Sequence, residues 1–166
     1  MAAGATYEPI ATTTLSSSAN DVTFSSIPGT YTDLVVVFTT KTTTNSRAVL
    51  VQVNSDTGSN YSITRLGGNG SAASSSRDSS QTQWAMMEIA GTSDTEYWQV
   101  IGQFMNYANT TTYKTALFRV AGKGETQANV ALWRSTSAIT SIKLYMSAPQ
   151  GWASGNTFTL YGISAA

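Results

Sequence analysis

The sequence predicts an all-β fold, a two-sheet antiparallel β-sandwich that is jelly-roll-like in its connections. Three observations lead there. Thr, Val and Ile number 26, 10 and 8 among the 166 residues, whereas Leu, Gln, Glu, Lys and Arg together number only 28. β-Branched side chains are stiff at χ1 and pack well on a pleated surface, so this balance favours strands over helices. Short apolar runs recur along the chain between clusters of Gly, Asn, Asp and Ser, the spacing of a sandwich or barrel. Roughly ten such runs suggest two packed sheets, most simply a jelly roll. The length is one domain's worth, and a domain of this size buries about 70% of its unfolded surface without needing staples. The expected organisation is an extended N-terminal arm over residues 1–15 and one sandwich domain over 16–166.

The elements follow in order. Residues 9–15 are Thr-rich and extended, anchored by Ile10 and Leu15. Val22 and Phe24 alternate before a turn at Ile27-Pro28-Gly29-Thr30. The continuous run Leu34-Val35-Val36-Val37-Phe38 reads as a strand buried on both faces. Val49, Val51 and Val53 alternate as a half-buried strand, and Asn54 to Gly58 supplies a turn of residues that bond their own backbone. A strand over 61–66 follows. Residues 67–81 hold no aliphatic side chain larger than Ala, which predicts a long surface loop, of the kind that is often functional. Strand-like runs resume at 83–89, 97–107, 113–121, 129–133, 139–146 and 157–163. Residues 125–135 also fit about two helical turns, and the strand reading is preferred.

Composition restricts the chemistry. Nine basic and nine acidic residues give a net charge of zero. The basic excess that neutralises phosphates is missing, so nucleic acid is not expected as a partner. The sequence contains no Cys and no His, which excludes disulfides, thiol catalysis and the commonest general base and metal ligand. A pair of carboxylates would suffice for glycoside hydrolysis. Glu88, Asp94, Glu96 and Glu125 are the candidates, and Glu88 stands out in the apolar run Trp84 to Ile89. Alternation that puts Glu88 on an outer face explains it more simply. The turn Asn54 to Gly58 resembles a calcium loop faintly but lacks the downstream bidentate Glu, and an Asx-stabilised hairpin explains it better. No catalytic residue, metal or cofactor is expected. No secretory signal and no window of apolar residues long enough for a membrane span occur.

Aromatic residues are the remaining candidates for contacts. Trp98 and Trp133, inside apolar strands, read as core. Trp152 lies in the turn Gly151-Trp152-Ala153-Ser154-Gly155, where exposure would make it an interface anchor. Exposed Trp and Tyr would also suit the stacking of sugar rings. With few charges, interfaces are expected to rest on apolar anchors and neutral hydrogen bonds and to vary little with salt. A steep salt dependence would point to Lys41, Arg47, Arg65 or Arg77.

Three stretches carry a resemblance. Residues 7–15 followed by 22–34, then Asp56-Thr57-Gly58-Ser59-Asn60-Tyr61 with Leu66-Gly67-Gly68-Asn69-Gly70, and the ending 155–163 are together similar to small virion structural proteins of tailed bacteriophages, cyanophage-like ones in particular. The resemblance covers both ends and the first half of the chain and is weakest over 83–148. It implies a non-enzymatic virion component made in the host cytoplasm. The expected place is the capsid surface, as a decoration or cement protein touching the major capsid protein or other virion proteins, as a homo-oligomer, most simply a trimer. The chain shows no shaft-like segment, which favours the capsid over a fibre. The alternative is a receptor- or glycan-binding module of a tail or head fibre, facing a host-surface glycan. Contacts are expected from Tyr7, Pro9, Ile10 and Trp152, and from Arg77 and Asp78 in the Ser-rich stretch.

Overall fold

The computed structural model describes residues 6–43, 48–87, 95–122, 124–147 and 151–164. They form twelve strands: β1 (Tyr7–Thr14), β2 (Asp21–Phe24), β3 (Asp33–Thr40), β4 (Val49–Val53), β5 (Tyr61–Gly68), β6 (Ala73–Gln81), β7 (Trp84–Met87), β8 (Trp98–Met105), β9 (Lys114–Gly122), β10 (Glu125–Trp133), β11 (Ile142–Met146) and β12 (Thr157–Ile163). Every pairing is antiparallel, and the strands make two sheets, one of eight and one of four. The expected all-β sandwich is the fold observed.

The strand orders make it a jelly roll with an extension. The larger sheet begins β1-β12-β3-β8, and the smaller sheet is β2-β11-β4-β7. These eight strands exchange sheets along the chain as the two Greek keys of a jelly roll require. The other four are two hairpins inserted into that plan. The β5–β6 hairpin falls between β4 and β7, and the β9–β10 hairpin between β8 and β11. Both join the larger sheet beyond β8, completing it as β9-β10-β5-β6.

Alternation of apolar side chains places the core between the sheets. Leu34, Val36 and Phe38 of β3, Trp98, Val100 and Phe104 of β8 and Phe118 of β9 meet Val49, Val51, Trp84, Ile142 and Leu144 of the smaller sheet, all buried. Trp84 packs edge-on against Tyr61 and Phe118, with centroids 5.2 and 6.0 Å away. Edge-to-face pairs of this kind add about 0.5–1.5 kcal/mol each beyond their area. The open edge of β7 is closed from the other sheet: Arg65 Nε donates to the Ala85 carbonyl at 2.9 Å and Asn129 Nδ2 to that of Met86 at 2.5 Å. Two buried polar side chains thus cap strand carbonyls that would otherwise be orphaned.

Two expectations are corrected here. β3 is buried on both faces only over its first half: outward Val35 is buried like Leu34 and Val36, whereas outward Val37 and Thr39 are exposed, since no third layer among the described residues covers the sheet there. Residues 73–81, expected as loop, are strand β6, paired with β5 from Ala73–Gly68 to Gln81–Tyr61. A sheet edge is held by main-chain hydrogen bonds, so it needs no apolar side chains. Residues 7–14 of the expected arm are extended and form β1, the other edge of the same sheet, paired to β12. The ambiguous stretch at 125–133 is strand β10.

Candidate functional site

Strand β10 runs against the usual polarity. Gln127, Asn129, Ala131 and Trp133 point inward and are buried. Thr126, Ala128 and Val130 point outward and are exposed. Polar residues therefore sit inside, where Asn129 caps β7, and aliphatic ones outside. Register carries this outward set across the extension. Leu66 of β5 lies opposite Ala128, Thr64 opposite Val130, and Leu117 of β9 opposite Val130 on the other side. Leu66 and Val130 are each 55% exposed.

The face is hollowed rather than flat. One hollow of about 610 Å³ lies over β3, β8, β9, β10 and β5, lined by Val37, Ile101, Arg119, Ala128 and Leu66 among others. A second, of about 430 Å³, continues along β10 and β5 past Thr64, Val130 and Leu132 to Arg77 and Arg134. From Thr126 to Leu132 the strand covers about 20 Å.

Arginines dominate the charge on this face. Arg119 projects outward from β9, Arg77 lies opposite Thr64 on β6, and Arg134 follows β10, its guanidinium donating to Ser62 Oγ at 3.1 Å and the Ser59 carbonyl at 2.9 Å. Neighbouring Asp78 turns to the inner side, where its carboxylate meets Arg65 at 2.6 Å. Among the described residues, Asp78 is the acidic residue that borders the second hollow, and its carboxylate is already paired with Arg65. Net neutrality of the chain thus coexists with a locally cationic, aliphatic surface.

The sequence-derived candidates fall elsewhere or separate. Trp152 is fully buried, so the expectation of an exposed anchor is corrected. Its indole packs on Phe158 and Phe38, with centroids 4.6 and 6.5 Å away, and its backbone forms bridges to Ala19 and Thr42. The glycine beside it does permit a close approach, but by the chain itself: a Cβ on Gly151 would stand 2.0 Å from the Ala19 carbonyl oxygen. Tyr7 is 57% exposed at the β1 edge and meets Tyr161 edge-on at 6.2 Å. Pro9 borders a bulge in β1, and Ile10 is half-buried against the core. Arg77 and Asp78 lie on opposite faces of β6. Glu88, Asp94 and Arg47 lie outside the described residues. Trp84, Trp98 and Trp133 are core.

The turn after β4 is Asx-stabilised as expected, but it is not the expected hairpin: it carries the chain from β4 in the smaller sheet to β5 in the larger one. The Asp56 carboxylate accepts the Gly58 N–H at 2.8 Å, Asn60 Nδ2 at 2.8 Å and Trp133 Nε1 at 2.6 Å. Burial pushes its pKa upward, but these donors outweigh it and hold the group below the ordinary aspartate value. Among the described residues no three acidic, His or Cys side chains gather as a metal site. Lys114, buried on the inner side of β9, donates to the Thr112 and Thr136 carbonyls at 2.7 and 3.1 Å, and burial lowers its pKa. Among the described residues no helix is long and apolar enough to cross a membrane.

No family model and no curated protein matches the sequence. Among solved structures, a xylan β-1,4-xylosidase from Bacillus halodurans C-125 aligns over 81% of this chain and 28% of its own, at 4% identity and a TM-score of 0.37. A protein of unknown function from Shewanella oneidensis MR-1 aligns over 98% of this chain and 77% of its own, at 9% identity and a TM-score of 0.27. The chain thus spans less than a third of the xylosidase's length.

What sequence reasoning missed is the outward set Val37, Leu66, Arg119 and Val130. A signal was present: the strands at 34–38 and 130–132 are apolar at consecutive positions, more than a two-layer sandwich has inner face to absorb.

Proposed function

We propose that this chain is a non-enzymatic structural component of a tailed-phage virion, a decoration or cement protein that docks on the outer shell. The observation that carries the reading is the open outer face of the extended sheet, where aliphatic side chains of β3, β10 and β5 stand exposed in two neighbouring hollows. Exposed apolar patches rimmed by polar residues mark interaction sites on soluble proteins. The sequence resemblance supplies the virion setting, and a jelly roll is an architecture found in viral capsid domains. A rigid sheet presenting a broad surface suits wide contact with a shell better than it suits a closed pocket for a small substrate. A trimeric assembly on the shell is part of this reading.

The test is location. Electron cryo-imaging of intact particles of the encoding phage is expected to place this protein on the head. Density at a tail-fibre tip, or absence from purified particles, overturns the proposal.

A further inference from the structure

We infer that the hollowed outer face of β9-β10-β5-β6 binds an extended, acidic segment of a partner protein, laid along β10 with carboxylates on Arg119, Arg77 and Arg134. The inference deepens the docking reading proposed above and rests on it for the face's role.

Three observations point to that ligand chemistry. The two hollows run end to end along β10 and β5, a trough about 20 Å long that fits an extended strand of peptide. Aliphatic side chains line its floor, Val37, Leu66 and Val130 among them, each exposed, and these seat apolar side chains at alternate positions of a bound segment. Among the described residues, the charged groups bordering these hollows are the guanidiniums of Arg119, Arg77 and Arg134 and the Asp78 carboxylate, which Arg65 already holds, so an acidic partner gains charge-assisted hydrogen bonds from the arginines. A basic or phosphate-free neutral segment would leave them uncompensated.

A polysaccharide with uronic acids shares the charge but not the rest. The hollows themselves hold no ring for sugar stacking: all four tryptophans are buried, and the exposed Tyr97 and Tyr113 stand just before β8 and β9 rather than among the lining residues. A second copy of the chain is also a poor fit. Of its described carboxylates, Asp56, Asp78, Asp33, Asp21 and Glu8 are already held by Trp133, Arg65, Gln103, Lys143 and Tyr31.

The experiment uses the full chain, isotopically labelled, and three probes: a synthetic peptide alternating glutamate and valine, its lysine–valine counterpart, and an oligomer of galacturonic acid. The glutamate peptide is expected to shift backbone amide resonances of β9, β10 and β5, with binding that weakens as salt is raised. Arg119→Glu is expected to weaken it by about tenfold or more. Arg119→Gln, a milder change on an exposed strand position, is expected to weaken it less while leaving the melting temperature unchanged. No shifts on this face, equal binding of the lysine peptide, binding of the uronic acid oligomer alone, or shifts at the same amides from self-association without peptide would each overturn the inference. Its failure is separable from that of the proposed function. A protein imaged on the head whose shell binding ignores Arg119→Glu retains the function and loses the inference. A protein missing from the particle that still binds the acidic peptide here does the reverse.

Discussion

Trp152 shows how one side chain ties distant parts of the chain together. Its ring fills the space beside Phe38 of β3 and Phe158 of β12, and its backbone N–H and C=O exchange hydrogen bonds with Ala19 at 2.7 and 3.1 Å. Truncating it leaves a large cavity, so Trp152→Ala is expected to cost about 3–5 kcal/mol in thermal or denaturant unfolding. An unchanged melting temperature would mean the indole is not core. Gly151→Ala is expected to destabilise as well, since its Cβ meets the backbone of Ala19, which has no rotamer with which to yield. Two titrating residues couple stability to pH at the acid and alkaline ends. Asp56 has a folded pKa below its ordinary 3.8, so its contribution is fully present above that value and lost as pH falls through the folded pKa. Asp56→Asn is expected to flatten stability against pH on the acid side, as followed by melting temperature. Tyr61, buried and bonded through its hydroxyl to the Val53 backbone, is pushed up to about 12 from 10.0. Its contribution is present below pH 10 and lost as pH rises towards about 12. Tyr61→Phe should remove that alkaline loss.

At the scale of elements, the β5–β6 hairpin is held by a polar seam rather than by core. β6 buries no side chain, and Arg65 links it to β7 by reaching Asp78 and the Ala85 carbonyl at once. Asp78 keeps 36% exposure and stays solvated without its partner, so the loss comes mainly from the uncapped Ala85 carbonyl, and Arg65→Ala is expected to cost about 1–3 kcal/mol. Hydrogen exchange should show faster opening of β6 amides in that variant than of β3 or β12 amides, and uniform acceleration across the sheet would contradict this local role. The same elements show what was legible beforehand. Alternation marked β2 and β11 plainly because in each the buried inner positions alternate with more exposed outer ones. β6 was read as loop because strand reasoning leans on side chains, whereas an edge strand of Ser and Gly neighbours is specified by its partner's backbone. Trp152 was misread because a turn flanked by glycines signals exposure in sequence. Here the glycine instead admits the backbone of Ala19, a contact made across more than a hundred residues and invisible to local pattern.

At the scale of the molecule, a jelly roll of eight strands is widened by two hairpins into a lopsided sandwich, and the added area is what presents the cationic, aliphatic face. Net charge of zero concealed this arrangement, because it sums over groups that the fold separates: Asp56 and Asp78 are held in turn and seam contacts, and Arg119 and Arg77 stand outside. Binding through this face is therefore expected to weaken with salt, contrary to what bulk composition suggests. The measurement that tests the account most directly is a reconstruction of this protein on intact phage particles at a resolution that orients its strands. The account predicts density on the head with the outer face of β9-β10-β5-β6 turned to an extended segment of a shell protein. A subunit on the head that turns the four-stranded sheet to the shell, leaving Arg119 and Val130 in solvent, would contradict it.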